Sequence, residues 1–201
     1  GGRTHPRTIR AAVGSDGGGR LMSSPNGYSL TAYGRLVTDS PRMEAYERAL
    51  ATCIQPGDSL VDLGAGPGVF SLLGCRHGAA NVHAIEPDGA IELLGPMAAA
   101  NGWSDRIHCH PTISTRVSLN QPADVVVADL RGVLPTFQHH IAAMIDARSR
   151  LLAPDGHLIP ARDRLFAALV SAETEYRCLS QPWRDNELEL DLLAGLRQAI
   201  N

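Results

Sequence analysis

Aromatic residues make up only 4% of the 201-residue sequence. No apolar run approaches the roughly 20 residues that a membrane-spanning helix needs, so no membrane partner is expected. Charge of one sign is also scarce: the net charge is −3, the pI about 6.2, and Lys and Arg never form a dense run. Such a chain has no strong field to gather a phosphate backbone, and nucleic acid is not an expected partner. Trp103 and Trp183 are isolated, with nothing basic between them, and read as packing residues rather than base-stacking platforms. Cys53, Cys75, Cys109 and Cys178 lie far apart without a CxxC spacing and follow no signal peptide, so they read as reduced thiols of a soluble cytoplasmic protein. His108 and His110 share one face of a strand, a spacing that can hold a metal. No third ligand is near them in the sequence and alternating polar positions explain the pair, so no metal is expected. The chain opens on Gly1-Gly2 rather than Met, as a processed or trimmed chain would.

Hydrophobic residues make up 44% and charged residues 19%, which fits one main globular core with a modest appendage. Residues 1–20 are rich in Gly, Arg and Ser and read as a flexible lead or a weak hairpin. The Pro25-Asn26-Gly27 turn signal within Leu21 to Tyr33 predicts a small hairpin. From Ser40, read as the cap, Met43, Tyr46, Leu50 and Ile54 recur at helical spacing until Pro56-Gly57. A short apolar strand, Ser59 to Leu63, then runs into Gly64-Ala65-Gly66-Pro67-Gly68, and a helix follows from Val69. Further strands are predicted at Asn81–Ile85, Arg106–His110, Ala123–Ala128 and His157–Ile159, with helices at Ile91–Ala100 and His139–Leu152 between them. This alternation predicts an α/β fold, a doubly wound, Rossmann-like and mostly parallel sheet with helices on both faces. Its ligands should bind beyond the carboxyl ends of the strands. The divisions are a lead with a hairpin at 1–38, a main domain at 39–162, and a C-terminal extension at 163–201.

Glycines at 64, 66 and 68 let the backbone turn sharply and approach a ligand, while the next helix presents free N–H groups. Glu86 ends the following strand about 20 residues after Gly66, the offset at which a doubly wound fold places a carboxylate on both hydroxyls of a ribose. A nucleoside ligand is therefore predicted. The spacing is G-x-G-x-G rather than the G-x-G-x-x-G of a dinucleotide site, and an acid, Asp62, stands two positions before the first glycine. Both features disfavour a nicotinamide cofactor.

The segment VDLGAGPG resembles the first motif of class I methyltransferases. That resemblance implies S-adenosylmethionine as cofactor and S-adenosylhomocysteine as product. Asp62, Gly64, Gly66 and Gly68 would face the amino-acid part and Glu86 the ribose, with Pro87 next to it also among the cofactor-binding residues. From about Leu30 to Val170 the chain is similar to the protein arginine methyltransferases. DSPRMEAY resembles their D-x-x-R-x-x-x-Y segment and makes Arg42 the grip on the cofactor carboxylate, a role that suits a guanidinium fork. HGAANVHAIEPDGA, NGWSDRI and ADVVVADLRGVLP match later segments, which would place Ile113 and Ser114 beside the adenine, with Ser114 where the family usually has an acid. The resemblance also implies a possible homodimer and makes Arg164 to Val170 a possible first strand of a C-terminal barrel.

The departures fall on the acceptor side. Two glutamates of that family hold the cationic guanidinium; here those positions are Asp129 and Gln138. Asp is one methylene shorter and Gln supplies no charge, which weakens arginine as the acceptor. The family's His and Met ahead of the arginine-bearing segment are Tyr33 and Leu36. Asp129 is the first candidate for orienting the acceptor, an unidentified small molecule or protein side chain. His140 or His139 is the candidate for taking a proton, though both histidines also fit as the surface opening of a helix. Arg131 would attract an acidic acceptor or pair with Asp129. Protein arginine methylation is the alternative function, and a non-catalytic relative that binds the cofactor is a second alternative.

Overall fold

The structure, a computed structural model, describes residues 29–130 and 140–200. Two compact units are present, one ending at Asp163 and one running Arg164–Asn201. In the first, Leu30–Val37 forms helix α1, opened by the Ser29 side chain accepting from the amide of Ala32. Leu30 to Tyr33 are therefore helical rather than part of a hairpin. The Pro25-Asn26-Gly27 turn and the glycine-rich lead lie outside the described residues. Helix α2 spans Ser40–Cys53, with Asp39 rather than Ser40 as its cap. Ser40 already has helical backbone angles, so the carboxylate one residue earlier meets the free amide of Arg42.

Five parallel strands follow: β1 Ser59–Leu63, β2 Asn81–Ile85, β3 Ile107–His110, β4 Ala123–Ala128 and β5 Leu152–Ile159, in the order β3-β2-β1-β4-β5. They are joined by α3 Val69–Arg76, α4 Leu94–Ala100 preceded by a 3-10 turn at Gly89–Leu93, a short 3-10 turn at Ser114–Arg116, and α5 His140–Asp146. The helix expected to run to Leu152 gives way after Asp146 to a π-helical turn, Ala147–Leu151. Strand β5 begins earlier than the Pro154-Asp155-Gly156 signal implied. Leu152 pairs with Ala123, and four residues, Ala153 to Gly156, bulge out against the single Asp124 before His157 pairs with Val125.

The doubly wound parallel sheet is as the alternating pattern predicted. Alternate residues of β1 and β4 go to opposite faces. Leu60, Val125 and Val127 join Tyr46, Leu50, Phe70 and Leu73 on one side, while Val61, Leu63, Val126 and Ala128 join Val117, Ala147 and Leu151 on the other. Burial on both faces explains why these strands are continuously apolar. Leu63 pairs with both Ile85 and Ala128, and Ile85 pairs with His110. Four strands thus end together, and the winding reverses between β1 and β4, which opens a crevice at their carboxyl ends.

In the second unit Arg164 to Val170 carry no strand, so the barrel strand expected there is absent and the chain runs exposed into two helices, α6 Glu173–Arg184 and α7 Leu193–Ala199. The family resemblance had suggested a strand, but a strand needs a partner ladder, and among the described residues none is offered after β5. Trp183 packs where a Cβ on Gly195 would stand 2.2 Å from its ring. Among the described residues no helix is long and apolar enough to cross a membrane.

Leu60 is fully buried, and its side chain lies 2.2 Å from where a Cβ on Gly74 would be. Leu60→Ala is expected to cost about 2–5 kcal/mol. Urea unfolding checks this as a lower midpoint at unchanged slope.

Candidate functional site

The chain leaves β1 through Gly64, Gly66 and Gly68, all in left-handed conformations, at φ 72°, 53° and 85°. Glycine takes up such angles without the steric cost a Cβ brings. At Gly66 a Cβ would also stand 2.6 Å from the ring of Tyr33, and at Gly64 it would meet the side chain of Leu130. The loop therefore lies directly against α1 on one side and the end of β4 on the other. Gly64 and Ala65 donate their amides to the carbonyl of Ile85, which locks the loop to the end of β2.

Two carboxylates frame this loop. Glu86 is almost buried, and its two oxygens accept from the amide of Gly66 at 3.0 Å and that of Asp88 at 2.8 Å. Burial raises its pKa, partly offset by those two amides. Each oxygen keeps a lone pair for a further donor. Asp62 is fully buried beneath the loop. Its Oδ2 accepts from the amide and hydroxyl of Ser71 at 2.9 and 2.7 Å, while Oδ1 is buried without a hydrogen-bond partner among the described residues. Desolvation pushes its pKa up to about 7, against the Ser71 hydrogen bonds and with help from the nearby Glu86 and Asp129 carboxylates.

On the other side of the crevice Arg42 reaches from α2 to Asp129, just past β4. Its Nε donates to Asp129 at 2.7 Å and its Nη2 contacts the same oxygen, while Nη1 donates to the carbonyl of Leu36 at 3.1 Å. The guanidinium carbon lies 5.7 Å from the ring centres of both Tyr46 and Phe70, which stack on each other at 4.5 Å. Tyr46 in turn donates its hydroxyl to the carbonyl of Ala128. The sequence reading gave Arg42 and Asp129 separate tasks; the structure joins them as an ion pair.

Ile113 is half-exposed and Ser114 buried, on the turn that follows β3, and Pro87 is exposed beside Glu86. His140 does open a helix, but it is buried rather than on the surface. Arg131, Gln138 and His139 lie outside the described residues. The third imidazole that the sequence did not place beside His108 and His110 is His83 of β2. It pairs in register with His108, and its Nδ1 lies 3.0 Å from Nε2 of His110. Burial and its two neighbours lower the His83 pKa to about 4. Among the described residues no group of three or more such side chains is arranged to hold a metal.

Residues 43–161, more than half of the chain and the segment that builds this sheet and loop, match the family model of the ribosomal protein L11 methyltransferases, PrmA. The chain belongs to this methyltransferase family. It is also 26% identical over 166 residues to the probable protein arginine N-methyltransferase 6 of Arabidopsis thaliana, covering 82% of this chain and 38% of that one. To the arginine N(omega)-methyltransferase of Streptomyces achromogenes subsp. streptozoticus it is 31% identical over 150 residues, 69% of this chain and 40% of the other. The crystal structure of Arabidopsis thaliana protein arginine methyltransferase 10 superposes with a TM-score of 0.67 at 19% identity, over 85% of this chain and 53% of that one, so the fold is shared. The chain spans about two fifths of the length of the curated relatives it matches.

The raised pKa of Asp62 has a thermodynamic consequence. Its folded value, about 7, lies above the ordinary value of 3.8, so the folded state holds that proton more tightly than the unfolded chain does. Asp62 then takes stability away as pH rises from about 4 to about 7, and its contribution is level above that. Asp62→Asn is expected to be more stable relative to the wild type at pH 7 than at pH 4. Urea unfolding across this range measures the difference, and parallel curves for the two proteins would refute the assignment.

Proposed function

We propose that the chain transfers a methyl group from S-adenosylmethionine to an acceptor that is a small molecule or a protein side chain, leaving S-adenosylhomocysteine. The observation that carries this reading is Glu86. Its carboxylate stands at the end of the strand beside the glycine loop, tied to Gly66, with acceptor capacity left for two ribose hydroxyls. The buried, unpartnered Oδ1 of Asp62 at the base of the same loop also fits a ligand that brings a hydrogen-bond donor. In this reading Glu86 holds the ribose, and the loop Gly64 to Gly68 and Arg42 hold the amino-acid end. Ile113 and Ser114 flank the base, and Pro87 keeps the chain turning past it.

When bound, the cofactor supplies a methyl carbon made electrophilic by the sulfonium. The protein's part is alignment and exclusion of water, because in-line displacement gains most from a fixed approach. Tyr33 against the loop and the end of β4 close the crevice on two sides. Asp129, held in place by Arg42, orients the acceptor, and His140 takes its proton where the nucleophile starts protonated. Arginine is the second reading for the acceptor, favoured by the two relatives named above. Against it, the charge of Asp129 is already met by Arg42 and Gln138 is uncharged, so a guanidinium finds little counter-charge here.

Calorimetric titration with S-adenosylhomocysteine, beside NADH as control, tests the reading. Micromolar binding of the first alone is expected, and no binding by folded protein would overturn it. Glu86→Ala should weaken that binding by about 1–3 kcal/mol. Asp129→Ala should lower methyl transfer far more than cofactor affinity; transfer at the wild-type rate would remove Asp129 from the acceptor site, and binding without transfer to any acceptor would favour a non-catalytic role.

A further inference from the structure

The connection from β3 to β4, residues 111–122, contains no regular element beyond the three-residue turn Ser114–Arg116. Where this turn stands decides where Ile113 stands, and Ile113 lies three residues past His110, whose carbonyl accepts the amide of Glu86. One side chain from a distant element grips both ends of the turn. Arg150 donates through Nη2 to the carbonyl of Ser114 at 2.9 Å and through Nη1 to that of Val117 at 3.1 Å. The same guanidinium is held from behind by Asp146, through Nε at 2.6 Å and Nη2 at 2.9 Å. The Arg150 hydrogen bonds, with a smaller contribution from the Ser114 side chain, hold the Asp146 carboxyl below its ordinary value.

The anchorage of this clamp is rigid. Arg150 sits in the π-helical turn Ala147–Leu151, a rare element that recurs at functional sites. Ala147 and Leu151 of that turn are buried in the same core cluster as Val117. The clamp and the turn it grips are thus both fixed to one face of the sheet, and a planar fork with all three nitrogens engaged has little freedom to shift.

We infer that Arg150 and Asp146 are positioning residues, which set the turn Ile113–Val117 against the nucleobase of the bound cofactor and so govern its affinity without touching it. This rests on the reading of the site given above. Nothing in the pairing looks functional at the level of sequence, because an acid and a base four apart on a helix are common on solvated faces.

The test is a double-mutant cycle read by titration with S-adenosylhomocysteine. Arg150→Ala should raise its dissociation constant by about tenfold, the effect of losing one well-made positioning contact. Arg150→Lys keeps the charge but not the fork and should recover little of it. In the Ile113→Ala background the effect of Arg150→Ala should largely vanish, because both act through the same base contact; in the Glu86→Ala background it should persist, because the ribose contact is separate. A merely structural role would lower the melting temperature and leave the dissociation constant, measured well below the melt, unchanged, which would overturn the inference. Equal effects in all three backgrounds would overturn it too. If instead Glu86→Ala itself left binding unchanged, the site reading would fail; if Glu86→Ala weakened binding and Arg150→Ala did not, only the clamp would fail.

Discussion

The hydrogen bond from the amide of Gly66 to the carboxylate of Glu86 is the constraint on which the crevice depends. It ties a loop with three left-handed residues to the end of the neighbouring strand, and it keeps a buried carboxylate supplied with donors. The rest of the geometry follows from it. The loop can lie this low only because Gly64 and Gly66 lack the Cβ atoms that would strike Leu130 and Tyr33. Asp62 is sealed beneath it as a result, with one oxygen satisfied by Ser71 and the other by nothing among the described residues. A buried acid in that position is costly on its own terms, and the proposed ligand gives the cost a purpose.

Charge is distributed across the crevice with some economy. Glu86 stands at the end of β2 and Asp62 in the central strand β1, while beyond β4 Arg42 is matched to Asp129. Its guanidinium rests near two stacked rings, and one of those rings is tied to Ala128. Helix α2 thereby serves two layers at once: Leu50 and Tyr46 pack on the sheet, and Arg42, one turn before Tyr46, looks into the crevice. Packing and ligand geometry are coupled through a single helix, so its position matters twice.

What the sequence disclosed was local. The glycine loop and Glu86 stand close together in the sequence, each buried strand is a single short run, and each follows from backbone rules that leave little choice. What it hid was long-range or disguised. Arg42 and Asp129 meet across 87 residues, and no spacing rule links them. His83 joins His108 and His110 only through the register of β2 with β3. Arg150 and Asp146 were disguised as an ordinary helix-surface pair. Errors also had physical causes. The Pro25-Asn26-Gly27 signal drew Leu30 to Tyr33 into a hairpin, although Ser29 caps a helix there. The apolar run after Arg164, made a strand by resemblance, had no neighbouring strand to join among the described residues.

The bulge in β5 shows where this sheet is indifferent to length. Four residues, Ala153 to Gly156, sit opposite one, at the amino end of the strand, while the site occupies the carboxyl ends. The neighbouring Asp124 is pinned by its own bonds to Ser59, so the sheet edge there does not depend on the bulged residues for its register. Pro154 and Asp155 are exposed. This corner is therefore a natural attachment point for a fluorophore or an immobilising tether, far enough from the crevice to leave ligand exchange unhindered.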